Sequence, residues 1–215
     1  MSELASSLPS RFPVFPLRGA LLLPGGNLPL NIFEPRYLQM VRDAVQTDHV
    51  IGMIQPRPEA EPAAVPPLYR TGCDGRITNF SENEDGRYLI TLTGVCRFDI
   101  AEELEVPTLY RQVRADFTRW RQDLQPTAPP AELKSSLLAV LKVYFDRHGI
   151  EADWDAIDAA PLAGLVTSLC MICPFEPEEK QALLEAPDLA RQAKLLVALM
   201  QMETMAEPGG SSARH

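Results

Sequence analysis

The sequence contains few of the residues that build metal or redox centres. Among its 215 residues there are 3 histidines and 4 cysteines. A structural zinc site requires four ligands, and only two of the cysteines are closely spaced. We therefore predict that the protein holds no metal and no other cofactor.

A surplus of basic residues and a long apolar segment are also absent from the sequence. The chain has 20 Lys and Arg against 29 Asp and Glu, which gives a net charge of −9. Proteins that neutralise phosphates usually carry the opposite sign or a basic stripe. No segment approaches the ~18 apolar residues of a membrane-spanning helix, and residues 1–10 do not resemble a secretory signal. We expect a cytoplasmic protein with reduced thiols and neither a nucleic-acid nor a membrane partner.

Sequence signatures of catalysis are missing as well. No Gly-x-x-x-x-Gly-Lys-Ser/Thr loop, which would cradle phosphates, occurs in the sequence. Lys134, Ser135 and Ser136 are adjacent on a predicted helix, so their side chains point in different directions and make a poor Ser-Lys pair. We therefore predict that the chain is not an enzyme, and we assign no catalytic residue.

A Cys-x-x-Cys sequence at Cys170 and Cys173 is the motif that most suggests redox chemistry. Such a pair is reactive at a helix N-terminus, where the thiol pKa is lowered. Here the pair sits at the C-terminal end of an apolar helix predicted over 162–172, where the helix dipole disfavours a thiolate. Two buried core thiols are the simpler interpretation. A thiol-redox protein using Cys170 and Cys173 remains the less favoured alternative.

Proline-rich segments divide the sequence into a strand-rich part and a helical part. Short apolar segments separated by turns precede residues 125–130, and apolar residues recur at helical spacing after them. The pattern predicts a β-barrel subdomain with one helix at 10–122 and an α-helical bundle at 128–206. Residues 1–9 and 207–215 are polar and are predicted to be disordered tails.

The individual elements follow from the same periodicities. Strands are predicted at 11–17, 28–33, 50–54, 75–81, 87–92, 95–100 and 110–117. Helices are predicted after Pro35, over 133–148, 162–172 and 178–185, and from Leu189 onward. The many prolines of the first strands are typical of edges and bulges in a small, irregular barrel.

The most distinctive segment is the predicted strand-to-helix corner at residues 33–37. Pro35 suits a first helical turn, where its missing N–H is no loss. Glu34 and Arg36 flank it, and they either hold the corner through an ion pair or backbone hydrogen bonds, or contact a partner. Phe33 and Tyr37 belong either to the core or to an apolar recognition surface. We assign Phe33, Glu34, Arg36 and Tyr37 as candidate partner-binding residues.

Four sequence blocks, in order, resemble the N-terminal domain family of Lon proteases. They are Phe33-Glu-Pro-Arg-Tyr37 and the segments 69–77, 85–98 and 174–185. The resemblance implies an α+β fold, a PUA-like bent β-barrel followed by a C-terminal α-helical bundle. It also implies the substrate-recognition role of that domain. The sequence resembles a stand-alone form of the domain, because counterparts of the Lon ATPase and peptidase domains are lacking.

The leading hypothesis is therefore a non-catalytic protein-binding module. Its partners would be exposed apolar segments of unfolded client proteins, or a protease. Clefts between domains favour recognition, so we expect the groove where barrel and bundle meet. RNA binding is the alternative, because PUA-like folds elsewhere bind RNA. It would require a basic groove with stacking aromatics, which the acidic composition opposes.

Overall fold

A computed structural model describes residues 8–58, 65–125 and 132–205 of the chain. The strands are β1 (Arg11–Pro16), β2 (Asn27–Ile32), β3 (Val50–Ile54), β4 (Thr71–Glu82), β5 (Tyr88–Leu104) and β6 (Gln112–Asp116). The α-helices are α1 (Pro35–Val45), α2 (Glu132–His148), α3 (Trp154–Ala159), α4 (Leu162–Ile172), α5 (Pro177–Glu185) and α6 (Leu189–Met205). A 3-10 helix spans Thr118–Leu124. Apart from α1, which lies between β2 and β3, the strands come first and the helices follow, and this order confirms the predicted α+β class.

The sheet closes into a barrel. Its strand order is β2-β5-β4-β3-β1-β6, and β6 also pairs with β5, so five strands form a ring that β2 extends at one side. The β1–β3 pair is parallel and is connected through β2 and α1, whereas the other pairs are antiparallel. Register shifts in the β4–β5 and β5–β6 pairs mark bulges, which bend strands in small barrels.

The prediction of two short strands at 87–92 and 95–100 was wrong, because β5 is one strand of 17 residues. Gly94 lies between the two predicted segments, within the continuous strand. Its N–H donates to the Gly26 carbonyl at 2.9 Å, and a Cβ at this position would collide with the Leu23 carbonyl oxygen. Gly94 is therefore required for a close approach of two backbones.

One large hydrophobic cluster is shared by the barrel and the helices. It extends from Phe15 and Leu22 beside the barrel to Leu141 of α2 and Leu196 of α6. A second, smaller cluster is formed by Phe12, Val14, Val50, Ile54, Phe98 and Val113. The strand-rich and helical parts therefore bury much of their apolar surface against each other.

Arg97 of β5 joins the two parts through polar contacts. Its side chain is buried, and its Nε and Nη2 donate to the Asp123 carboxylate at 2.8 and 2.6 Å. Its Nη1 donates to the carbonyl oxygens of Leu184 and Ala186 at the end of α5. The guanidinium also lies over the Trp120 ring, 4.0 Å from its centroid. A buried charge with this many partners fixes α5 against the barrel.

The predicted subdomain boundaries at residues 122 and 128 stay predictions. Residues 126–131 lie outside the described ranges, as do residues 1–7 and 206–215, which hold nearly all of the predicted tails. Among the described helices, none combines the length and the apolar character needed to cross a membrane.

Candidate functional site

The corner between β2 and α1 contains the four residues assigned from the sequence. Glu34 is the N-cap residue of α1, and its side chain accepts no capping hydrogen bond. The carboxylate instead pairs with Arg36, whose Nε and Nη2 each lie 2.9 Å from the Glu34 Oε2. The ion pair of the sequence prediction is thus present. About half of each side chain is exposed, so it contributes at most ~1 kcal/mol to stability.

Phe33 and Tyr37 have different surroundings. A spacing of four residues would place them on the same face of a helix, but Phe33 precedes α1. Tyr37 is buried, and its ring packs on Phe15 with a centroid distance of 4.3 Å. Phe33 is 61% exposed and lies near Arg87, whose guanidinium is 5.7 Å from the ring centroid. The four assigned residues therefore do not form one continuous surface.

Arg36 and Tyr37 line an open cleft of about 250 Å³, which we call the corner cleft. Its lining residues are Pro16, Arg36, Tyr37, Pro56, Val65, Pro66, Leu109, Tyr110 and Arg111. They come from the end of β1, the start of α1 and the loops that precede β4 and β6 or follow β3. Val65 and Leu109 are 66% and 69% exposed. Apolar side chains that stand free at the edge of a cleft favour contact with an apolar ligand.

Hydrogen bonds hold the walls of the corner cleft in place. The Tyr110 hydroxyl donates to the Asp43 carboxylate of α1 at 2.7 Å. Burial and this hydrogen bond raise the pKa of Tyr110 to about 12. Arg111 donates to both carboxylate oxygens of Glu103 at 2.5 and 2.6 Å, and its Nη1 donates to the Pro66 carbonyl at 2.7 Å. Side-chain hydrogen bonds within the protein therefore hold these walls of the cleft.

A second cleft lies at the junction of barrel and helices, where the sequence predicted the groove. It has a volume of about 140 Å³ and is lined by Leu23, Pro24, Arg97, Gln122, Asp123, Ala163, Thr167, Asp188, Leu189 and Gln192. Its lining includes the paired charges of Arg97 and Asp123. The corner cleft is the larger of the two and has fewer charged and amide side chains among its lining residues, so it is the better candidate site. Sequence reasoning missed most of its walls because they come from separate loops without periodic patterns.

The cysteines do not form a reactive centre. All four are free and buried. Burial raises the pKa of Cys173 to about 11 and that of Cys170 further still, so both remain protonated thiols near neutral pH. This burial opposes the redox alternative. Within the described ranges, no three His, Cys, Asp or Glu side chains are grouped so that they could hold a metal ion.

The fold and the corner cleft together define a small α+β domain with an open cleft that several apolar side chains line. The family model of the substrate-binding domain of the ATP-dependent protease La (Lon) matches residues 11–202. The chain therefore belongs to this family, as its sequence blocks indicated. The matched region is the substrate-binding part of the protease rather than its catalytic part.

Known relatives agree with this assignment. The chain is 30% identical over 198 residues to Lon protease 2 of Myxococcus xanthus, and 27% identical over 197 residues to the Lon protease of Anaeromyxobacter dehalogenans. Each match covers 90% of this chain. The chain spans about a quarter of the length of these relatives, since the matches cover 24% and 23% of them.

Solved structures show the same fold. A Lon N-terminal domain protein from Xanthomonas campestris aligns over 88% of this chain and 98% of its own, with a TM-score of 0.64 and 23% identity. The N-terminal domain of the Mycobacterium avium complex Lon protease aligns over 89% of this chain and 98% of its own, with a TM-score of 0.65 and 16% identity. These likenesses confirm the predicted PUA-like barrel followed by helices as the fold.

Proposed function

We propose that this chain binds extended apolar segments of other proteins in the corner cleft and acts by binding, without catalysis. The observation that carries the proposal is the cleft itself, with its hydrogen-bonded walls and its exposed Leu109 and Val65. Unfolded proteins expose the apolar side chains that such a cleft can cover. Membership of a substrate-binding family supports a polypeptide ligand. A protease that takes up the bound client is the expected partner.

The size of the cleft sets the expected affinity. One buried Leu or Phe side chain contributes roughly 1.5–3 kcal/mol, and part of this gain offsets the ordering of the peptide. We therefore expect dissociation constants on the order of micromolar or weaker for a segment with a single apolar anchor. Weak, reversible capture suits a module that samples many clients.

Substitution of Leu109 tests the proposal. A fluorescein-labelled peptide of Gly and Ser with one central Phe is titrated with the protein, and its anisotropy is measured. Leu109→Ser is expected to weaken binding roughly three- to tenfold, because it removes apolar contact at the cleft. Leu109 is 69% exposed, so its loss leaves the folded core intact.

Met205→Ser provides a matched control for this experiment. Met205 is 82% exposed on α6 and is not part of the cleft lining. The Met205→Ser substitution is expected to leave the affinity for the Phe peptide unchanged. Equal binding by wild type and both variants, or equal binding of peptides with Phe and Ser, would argue against the corner cleft as an apolar site.

The RNA alternative receives less support from the site. Each arginine of the corner cleft is paired with a carboxylate, Arg36 with Glu34 and Arg111 with Glu103. Labelled single-stranded RNA titrated under the same conditions provides the comparison. Salt-sensitive RNA binding that is tighter than binding of the Phe peptide would favour the alternative.

A further inference from the structure

We infer that the corner cleft selects segments in which a carboxylate lies one or two positions from the buried apolar side chain. This inference rests on the proposed function and adds a charge requirement to it. It follows from a comparison of the two arginines that line the cleft. Both are paired with a carboxylate, but Arg111 makes more hydrogen bonds within the protein than Arg36 does.

Arg111 uses all three of its side-chain nitrogens in hydrogen bonds within the protein. Its Nε and Nη2 donate to Glu103, and its Nη1 donates to the Pro66 carbonyl. Its side chain is 20% exposed. These bonds hold the wall that carries Pro66, so Arg111 shapes the cleft and is not expected to contact a peptide carboxylate.

The Arg36 guanidinium, by comparison, makes fewer hydrogen bonds within the protein and keeps N–H groups for a ligand. Its Nε donates to the Oε2 of Glu34, its Nη2 lies 2.9 Å from the same oxygen, and its Nη1 makes no hydrogen bond within the described ranges. The side chain is 51% exposed. Its guanidinium lies over the Tyr37 ring, 4.5 Å from the centroid, which fixes its position beside the cleft. A second carboxylate can therefore bind it without displacing Glu34.

The charge around the cleft points to the same ligand. Among the described residues that line the cleft, two are arginines, Arg36 and Arg111, and none is an aspartate or glutamate, although Glu34 and Glu103 pair with these arginines from outside the lining. The whole chain carries a net charge of −9, however, and it repels strongly acidic segments over longer distances. A peptide with a single carboxylate beside its apolar anchor can pair with an arginine of the cleft and is repelled only weakly by the net negative charge of the chain. Because an extended chain advances ~3.3–3.6 Å per residue, the acid must lie within about two positions of the anchor.

Three peptides that differ at one position test the inference. Each contains one Phe in a Gly and Ser background, followed by Asp, Asn or Lys, and its dissociation constant is measured by fluorescence anisotropy at low ionic strength. The wild type is expected to bind the Asp peptide about two- to fivefold more tightly than the Asn peptide, the range of a partly exposed ion pair. The Lys peptide is expected to bind most weakly.

Two arginine variants make the test specific. Arg36→Gln is expected to bind the Asp and Asn peptides equally and still to prefer Phe over Ser. Arg87→Gln is the matched control, because Arg87 is also 51% exposed and paired with a carboxylate two positions before it, Asp85, but lies outside the cleft. It is expected to keep the full preference for Asp.

The outcomes separate this inference from the proposed function. If the wild type prefers Phe over Ser but binds Asp and Asn peptides equally, the charge requirement is wrong and the apolar cleft stands. A preference for Asp that survives Arg36→Gln also overturns the inference. If Phe and Ser peptides bind equally, the proposed function itself is wrong.

Discussion

At the residue scale, Asp74 is the least satisfied group of the barrel. Its side chain is 1% exposed, and neither carboxylate oxygen has a hydrogen-bond partner among the described residues. Burial raises the pKa of Asp74 to about 7, with a partial opposing effect of Arg76. The folded protein therefore holds a proton that the unfolded chain, with a carboxyl pKa near 3.8, releases at lower pH.

This difference predicts how stability depends on pH. The folded state binds more protons than the unfolded state between pH values of about 4 and 7, so Asp74 lowers the free energy of unfolding as the pH rises through that window. Asp74→Asn removes the effect. The free energy of unfolding of the variant minus that of wild type is expected to be roughly 2–3 kcal/mol larger at pH 8 than at pH 5. Urea unfolding of both proteins at the two pH values measures the change, and a constant difference would show that Asp74 does not titrate as described.

At the element scale, β5 depends on the absence of a side chain at Gly94. A Cβ there would collide with the backbone oxygen of Leu23, which cannot move without shifting the segment before β2. We expect Gly94→Ala to lower the free energy of unfolding by about 2–4 kcal/mol. Gly164→Ala in α4 is the matched control, because a Cβ there would meet no atom within 4 Å beyond its own stretch of helix. It is expected to stabilise by roughly 0.5–1 kcal/mol. Thermal unfolding of both variants measures the difference, and equal losses would contradict the close approach.

The bounds of elements that consist of one continuous apolar segment were predicted correctly from the sequence. The continuous apolar segment of β3 and the apolar helix α4 have the predicted bounds, 50–54 and 162–172. The 3-10 helix at Thr118–Leu124 was not predicted, because its polar sequence has no helical period. It is held by tertiary contacts instead. The Trp120 Nε1 donates to the buried Asp99 at 3.1 Å, and Arg97 covers the ring.

At the scale of the whole molecule, the shared hydrophobic cluster predicts that barrel and helices unfold together. Leu141 of α2 is 1% exposed within that cluster. An unpaired carboxylate there costs several kcal/mol, a large part of the ~5–15 kcal/mol expected for a domain. We expect Leu141→Asp to abolish the cooperative unfolding transition of both parts. Val143→Asp, at a position 58% exposed two residues later, is the control and is expected to fold normally.

Circular dichroism and tryptophan fluorescence distinguish the two parts of the molecule in this experiment. The experiment uses a Trp154→Phe background, because Trp154 lies in α3 of the helical part. The buried Trp120 then reports on the barrel, and the helical signal reports mainly on α2 to α6. Loss of helical signal while Trp120 keeps its native emission would show that the barrel folds independently. That result would support the predicted subdomain boundary instead.

The candidate site could be predicted only in part. Sequence analysis found the corner at residues 33–37, because a strand-to-helix transition has a local pattern. It could not separate Arg36 and Tyr37, which line the cleft, from Phe33, which lies elsewhere. The wall formed by residues 109–111 reaches the corner only through the β1–β6 pairing. Contacts between such distant segments leave no periodic signal in either one.

The closure of the barrel also has a kinetic consequence. Strands β4 and β5 are joined by a short turn and can pair early, whereas β1 and β6 pair across about 100 residues, as Arg11 faces Arg114. Pairings between distant segments slow folding, so ring closure is expected to be a late step on a millisecond-to-second timescale. The corner cleft brings the end of β1 together with the loop before β6, and it exists only after that step. A chain that binds peptides in the corner cleft, as proposed, is therefore expected to gain that capacity abruptly at the end of folding, which would prevent it from capturing its own unfolded segments on the way.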